Sequence, residues 1–169
     1  MRHPKSSFLL VLVLAGLALI LSSCQSGPVT VGQVPGEVHL VDMAGRPVPF
    51  PSSFRGKVLV IHFWASSCSL CLSEMEIIES LHHHYSESSV VLCSVNVGDS
   101  RGSTERYLEK ITLSYPIFLD EQSVTRRSYG IYGVPATYIL DREGVIAFTA
   151  FGPVRKAELQ KVVDDLLGT

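Results

Sequence analysis

The sequence lacks both a strong charge imbalance and a hydrophobic run long enough to cross a membrane. Its 14 Lys and Arg nearly balance 16 Asp and Glu, for a net charge of −2, which leaves no basic patch for nucleic acid or anionic lipid. The longest apolar run, residues 8–21, has 14 residues, whereas a membrane-spanning helix needs about 20. No internal repeat or low-complexity tract is present, and 169 residues suffice for one domain with an ordinary core.

The N-terminal apolar run instead has the form of a secretory signal. It follows two basic residues and ends at a pair of serines. Residues 21–24, Leu-Ser-Ser-Cys, resemble the lipobox of bacterial lipoproteins, in which signal peptidase II cuts before a cysteine that becomes lipidated. We therefore predict a signal peptide over 1–23 and a lipid anchor on Cys24, rather than a buried helix and an ordinary thiol. An exported protein lies in an oxidising compartment.

The composition changes after Cys24. Residues 25–36 are rich in Gly, Pro, Ser, Val and Gln and show no periodicity, which predicts a tether at most about 40 Å long. The predicted organisation is a lipidated cysteine and tether over 24–36, followed by a single domain over 37–169.

Within that domain, strand and helix patterns alternate. A continuous apolar run at 57–64 is typical of a strand buried on both faces, and apolar residues three and four apart over 71–85 describe one helical face. Further strands are predicted at 38–41, 48–50, 90–97, 117–119, 136–140 and 145–151, and further helices at 104–112, 123–129 and 154–167. The first two and the last two of these strands enclose turn sequences and are predicted hairpins. The alternation predicts an α/β sandwich whose central strands are mostly parallel.

Two of the four cysteines stand three residues apart, in the sequence Cys68-Ser-Leu-Cys71. This pair lies between the buried strand and the first helix. Two cysteines three apart in a first helical turn can close a small disulfide. Unpaired backbone N–H groups and the positive end of the helix dipole favour the thiolate of Cys68. Since the thiolate is the species that attacks a disulfide, this spacing predicts a nucleophile at Cys68 and a resolving partner at Cys71.

Three other interpretations of this pair are weaker. A structural zinc site normally has four ligands, and the sequence has no second cysteine pair. A purely structural disulfide would stabilise more by closing a longer loop. A chance C-x-x-C does not account for its position between a strand and a helix of an exported chain.

Several separated blocks resemble the TlpA-like and ResA-like branch of the thioredoxin superfamily. They are residues 55–65 before the cysteine pair, Glu74 after it, and 129–144 near the end. The resemblance implies a thioredoxin fold, a central mixed β-sheet flanked by helices, with an N-terminal β-hairpin and a central insertion at about 97–115. It also implies membrane-tethered proteins that exchange disulfides outside the cytoplasm.

The resemblance assigns roles residue by residue. Cys68 matches the attacking cysteine and Cys71 the buried resolving one, and together they form the redox-active disulfide. Pro135 matches the cis-proline loop that faces the disulfide. The backbone of Val134 then pairs with an extended substrate, and Trp64 is expected to contribute to the same substrate-binding surface.

Two residues are candidates for proton transfer. Glu74 matches an acidic residue near the family's active site, and its alternative is a solvated position on an acidic helix face. His62 stands where the family often has Asn, and its alternative is a neutral, hydrogen-bonded core residue. The motif also departs from the family's usual Trp-Cys-Pro-Pro-Cys at Ser67, Ser69 and Leu70, so the sequence predicts no redox potential or direction of electron flow.

Other candidate ligands are assigned structural roles. Cys93 lies inside a predicted strand and is expected to pack as a small hydrophobic residue. The histidines at 82–84 point in different directions on a helix, so no metal site is predicted there.

We therefore predict an exported, lipid-anchored thiol–disulfide oxidoreductase, facing the periplasm or cell exterior, that reduces or exchanges disulfides of exported proteins. It would be a monomer without a soluble cofactor, supplied by a membrane or extracytoplasmic electron donor. One alternative is a copper-delivery module with Cys68 and Cys71 as soft Cu(I) ligands. Another is a thiol peroxidase, although Ala65 stands where that class has a threonine.

Overall fold

The computed structural model describes residues 29–85 and 89–168, which form one seven-stranded sheet with four helices. The strands are β1 (Val38–Asp42), β2 (Pro47–Phe50), β3 (Val58–Trp64), β4 (Val90–Val97), β5 (Ile117–Asp120), β6 (Ala136–Leu140) and β7 (Ile146–Phe151). The helices are α1 (Cys71–His82), α2 (Arg101–Leu108), α3 (Val124–Ser128) and α4 (Lys156–Leu167), and Ser52–Phe54 form a short 3-10 turn.

The sheet is mixed, with strand order β2-β1-β5-β4-β3-β6-β7. Strands β3, β4 and β5 are mutually parallel, whereas β6 pairs antiparallel with β3. The N-terminal hairpin of β1 and β2 joins the sheet through an antiparallel pairing of β1 with β5. The predicted mixed α/β thioredoxin fold is therefore confirmed, and the central parallel arrangement ends at β6.

Strand β3 lies inside the sheet, between β4 and β6, and all seven of its residues are buried. Its side chains alternate between two apolar layers because successive residues of a strand point to opposite faces. Leu59, Ile61 and Phe63 pack in one layer, whereas Val58, Val60 and Trp64 pack in the other, beneath α1 and α4. The continuous apolar run thus reflects a strand covered on both faces.

Helix α2 begins three residues earlier than the sequence pattern predicts, at Arg101 rather than 104. Ser100 precedes it in an extended conformation, and its side chain accepts a hydrogen bond from the Ser103 amide. This is an N-cap. Because the first turn carries no apolar residue, periodicity alone placed the start too late.

The end of the predicted tether lies against the domain. The Gly32 amide donates to the Ile146 carbonyl at 2.8 Å, and the Ile146 amide donates to the Gln33 carbonyl at 2.9 Å. Val29 also packs against the core layer that contains Leu59. Residues 29–36 therefore belong to the folded unit, because backbone pairing with β7 satisfies polar groups that the sequence pattern leaves unassigned.

The predicted signal peptide over 1–23 and the lipidation site at Cys24 lie outside the described residues. In the two described ranges, no helix is long and apolar enough to cross a membrane.

Candidate active site

A disulfide joins Cys68 to Cys71 where β3 passes into α1. The Cα atoms are 5.5 Å apart, and the Cys68 amide donates to the Ala65 carbonyl at 3.0 Å, which closes the turn after β3. Cys71, the first residue of α1, is completely buried, whereas Cys68 is half-buried. A reacting partner can therefore approach Cys68 but not Cys71.

The loop before β6 leaves the sheet next to the turn that carries the disulfide, because Ala136 at the start of β6 pairs with Phe63 near the end of β3. The Val134–Pro135 peptide is cis, and the Pro135 carbonyl accepts a hydrogen bond from the Gly152 amide at 2.9 Å. Val134 is half-buried and packs against the same apolar layer as Cys68. The structure thus brings together the cysteine pair and the proline loop, which are more than sixty residues apart in the chain.

Trp64 does not line this surface, so the prediction that it contacts a substrate is wrong. Its side chain is fully buried in the layer beneath α1, and its ring lies 5.0 Å from that of Tyr107. The physical reason is its place in β3, where it is directed inward and covered by the segment that follows β4.

Glu74 is buried on the inward face of α1, one turn beyond Cys71, and only 1% of it is exposed. The Thr137 hydroxyl donates to its Oε1 at 2.9 Å. Burial raises the pKa of Glu74 to about 7, against smaller opposing effects of the Thr137 hydroxyl and the Val154 amide. The alternative of a solvated acidic face is therefore wrong for Glu74, although Glu76 on the same helix is exposed.

His62 lies next to Glu74 and is fully buried. Its Nδ1 is 3.2 Å from the Ser94 Oγ, and its Nε2 is 3.8 Å from the Glu74 Oε2. Burial lowers the pKa of His62 to about 3, so the ring is neutral near neutral pH. Neither His62 Nε2 nor Glu74 Oε2 makes a hydrogen bond within the described residues. The two unpartnered atoms thus face one another inside the core.

Sequence reasoning missed the residues that hold this arrangement. Thr137 and Ser94 flank His62 on the neighbouring strands, and Asp99 anchors the loop before the cysteines by accepting from the Ser66 amide at 2.6 Å. Each is a common polar residue far from the motif in the chain. The available signal was the presence of polar residues, Ser94 and Thr137 among them, inside strands that are otherwise mostly apolar.

The remaining candidates are structural in this fold. Cys93 is buried in the opposite layer, and burial strongly raises the pKa of its thiol. His83 Nε2 lies 2.9 Å from Glu79, four residues earlier on α1. Across residues 29–85 and 89–168, no three His, Cys, Asp or Glu side chains are grouped as a metal site would require.

The comparison with known proteins agrees with this geometry. Residues 31–149 match the model of the AhpC/TSA family. The chain belongs to the AhpC/TSA family. It is similar to the thiol-disulfide oxidoreductase ResA of Geobacillus thermodenitrificans, with 27% identity over 168 residues that cover 98% of this chain and 96% of the relative. It is also similar to the sporulation thiol-disulfide oxidoreductase A of Bacillus subtilis, with 26% identity over 135 residues, 78% of this chain and 81% of the relative.

Solved structures extend the likeness to the fold. The structure of StoA from Bacillus subtilis is 26% identical, with a TM-score of 0.65, and covers 76% of this chain and 97% of StoA. A Chlorobium tepidum protein assigned as the thiol:disulfide interchange protein DsbE is 23% identical, with a TM-score of 0.77, and covers 83% of this chain and 99% of that one. The predicted ResA-like, thioredoxin-family thiol–disulfide oxidoreductase is confirmed within the AhpC/TSA family.

Proposed function

We propose that this AhpC/TSA family member is a membrane-tethered, extracytoplasmic oxidoreductase that reduces or exchanges disulfides of exported proteins through Cys68 and Cys71. The unequal burial of the two cysteines is the observation that carries the proposal. In the reduced protein, the Cys68 thiolate attacks a substrate disulfide, forming a mixed disulfide and releasing one substrate thiolate. The Cys71 sulfur then attacks Cys68, which closes the internal disulfide and releases the second substrate thiolate.

The start of α1 supports the first step. Leu70, the residue that caps the helix, gives no side-chain hydrogen bond to the first turn. The first-turn N–H groups and the helix dipole therefore favour negative charge on Cys68. The same effect stabilises Cys68 as the leaving group when the cycle runs in the oxidising direction.

Glu74 supports the second step. Cys71 must lose its proton before its sulfur can attack, and Glu74 lies one helical turn away on the same buried face. A carboxyl whose pKa is raised to about 7 by burial exchanges protons readily at neutral pH. The proton of the Cys71 thiol would pass to Glu74 as the sulfur–sulfur bond between the cysteines forms.

The surface around the disulfide supports a protein substrate. Leu70 and Leu72 are exposed beside the cysteines, and Tyr132 and Phe151 are exposed beside the proline loop. The rings of Tyr132 and Phe151 stack with their centroids 4.5 Å apart. Such exposed apolar side chains at a reactive site are typical of a protein-binding surface, and the backbone of Val134 would pair with the bound segment.

The membrane location rests on the sequence. The lipobox-like residues 21–24 support lipidation of Cys24, and a tether that ends near Val29 would hold the domain close to its membrane.

The test is a trapping experiment with a disulfide-containing protein such as insulin. The reduced wild-type protein should reduce insulin, Cys68→Ser should not, and Cys71→Ser should accumulate a mixed disulfide through Cys68. Cys93→Ser is the matched control, since that thiol is buried in the opposite layer. A mixed disulfide through Cys93, or none in Cys71→Ser, would overturn the proposal.

The two alternative functions have separate outcomes. Tight anaerobic binding of Cu(I) by the cysteine pair without insulin reduction would favour copper delivery. Rapid consumption of peroxide by Cys68 would favour a peroxidase, even though Ala65 stands where that class has a threonine.

A further inference from the structure

A row of polar side chains crosses the sheet beneath α1, within an otherwise apolar layer. Thr137 on β6, His62 on β3 and Ser94 on β4 lie directly opposite one another in the strand register. Tyr115 extends the row beyond Ser94, and Glu74 closes it from α1. All five residues are at least nine-tenths buried. Burial of so many polar groups is unfavourable unless they are matched to one another.

The contacts of this row bear on the protonation of His62. Ser94 Oγ lies 3.2 Å from the Tyr115 oxygen, and when the Ser94 hydroxyl donates to that oxygen its single proton is engaged. Ser94 Oγ can then only accept from His62 Nδ1, 3.2 Å away, which requires a proton on Nδ1. Because a neutral imidazole carries one proton, Nε2 presents a lone pair to Glu74.

The same arrangement acts on Glu74. A lone pair on Nε2 accepts a hydrogen bond from the protonated carboxyl but repels a carboxylate. The 3.8 Å between Nε2 and Oε2 is longer than a hydrogen bond by about 0.9 Å, a movement within the reach of a side chain. In the opposite tautomer, an Nε2 proton would be donated to the carboxylate and would stabilise the charge.

We propose that Ser94 and Tyr115 are positioning residues that hold His62 in its Nδ1–H tautomer, so that His62 favours the protonated form of Glu74 and sets the pH above which Glu74 is the carboxylate that can accept the Cys71 proton. The inference rests on the proposed function, because Glu74 acts there as the acceptor of the Cys71 proton. It makes the pH at which Glu74 can accept a proton depend on the hydroxyl groups of Ser94 and Tyr115 as well as on His62.

Other ionisable groups around the row are few. From α1, Cys71 lies on the same inward face as Glu74, and the ring of His82 lies 6.2 Å from that of Tyr115. Glu79 and the buried Cys93 interact electrostatically with Tyr115, and α4 contributes Leu159 and Val163 to this layer. Burial also raises the pKa of Tyr115, so its hydroxyl stays protonated throughout.

The decisive variant is Tyr115→Phe, which removes one hydroxyl two hydrogen bonds away from Glu74. The Ser94 hydroxyl, without its acceptor, turns to donate to Nδ1, and the proton of His62 moves to Nε2. Nitrogen-15 NMR of the full, oxidised chain distinguishes the two tautomers, with His62 identified by its loss in His62→Asn. We expect Nδ1–H in the wild-type protein and Nε2–H in Tyr115→Phe and in Ser94→Ala.

The kinetic readout is the pH dependence of resolution of a preformed mixed disulfide. The rate should rise with pH as Glu74 ionises, and in both variants this rise should move to lower pH by about one unit. Ser94→Thr retains the hydroxyl and should restore the wild-type profile. Tyr138→Phe is the matched control, because Tyr138 is a buried tyrosine whose hydroxyl donates to the Tyr129 carbonyl in the opposite layer.

The possible outcomes distinguish this inference from the proposed function on which it rests. An Nε2–H tautomer in the wild-type protein overturns the inference, as does an unshifted pH profile in Tyr115→Phe or an equal shift in Tyr138→Phe. In each of these cases disulfide exchange itself can proceed. Failure of the wild-type protein to exchange disulfides overturns the proposed function instead, whatever the tautomer of His62.

Discussion

Replacement of Glu74 by Gln should stabilise the protein above neutral pH while impairing the proposed chemistry. In the folded protein the pKa of Glu74 is raised from 4.5 to about 7 by burial. Between these two pH values the unfolded chain has lost a proton that the folded protein retains, so stability falls as pH rises. One pKa unit corresponds to about 1.36 kcal/mol, which gives a destabilisation of roughly 3 kcal/mol above about pH 7.

The glutamine side chain has the shape of the protonated acid and can still accept from Thr137, so it does not carry this penalty. The two proteins should be similarly stable near about pH 4.5 and should diverge by roughly 3 kcal/mol by about pH 8. The depressed pKa of His62 destabilises both proteins as pH falls below its unfolded value, and this effect cancels in the difference. The difference in the free energy of unfolding between the two proteins therefore reports the ionisation of Glu74.

Urea denaturation of the oxidised proteins measures this directly. The sequence has a single tryptophan, and Trp64 is fully buried, so its fluorescence reports unfolding. A difference of about 3 kcal/mol corresponds to a midpoint shift of about 1–2 M urea. Glu76→Gln, an exposed position on the same helix, is the control and should follow the wild-type profile. Parallel stability profiles of Glu74→Gln and wild type from about pH 5 to 8 would refute the reasoning.

Three further predictions concern the other candidate residues. Cys24→Ala should leave an uncleaved, unacylated precursor outside the normal membrane fraction; labelling with a lipid precursor checks this, and normal processing would contradict it. In the reduced protein, iodoacetamide should modify Cys68 much faster than Cys71, because Cys68 alone combines access with thiolate character; mass spectrometry after short exposure would show equal rates if the assignment is wrong. His62→Asn should move the pH dependence of resolution to lower pH, because the Nε2 lone pair no longer opposes the Glu74 carboxylate, while attack by Cys68 stays nearly intact; in stopped-flow exchange from about pH 5 to 9, an unchanged profile with only a lower melting temperature would make His62 a packing residue.

Much of the fold follows from local patterns in the chain. A continuous apolar run predicted the doubly covered strand β3, and spacings of three and four predicted the buried face of α1. The position of Cys68 and Cys71 between these two elements predicted a helix-start disulfide, which the structure contains. Both predictions depend only on near neighbours, because strand and helix periodicity and the polarity of a helix end are properties of short segments.

The environment of the site was decided by the tertiary structure. Glu74 and Glu76 are both glutamates on the same helix. The packing of α1 on the sheet buries Glu74, and this burial raises its pKa. The position of Trp64 near the cysteine motif predicted that it would contribute to the substrate-binding surface. In the structure, the segment after β4 covers its side chain instead. The docking of residues 29–36 on β7 likewise depends on a strand more than a hundred residues later.

The row that joins His62 to Ser94 and Tyr115 could not be foreseen from the sequence. It requires the parallel register of β3 and β4, which sets His62 opposite Ser94, and the course of the chain into β5, which brings Tyr115 to the same layer. The sequence determined which side chains can carry a proton. Their order, spacing and protonation depend on contacts between distant segments, since burial and hydrogen-bond partners exist only once the layers have packed together.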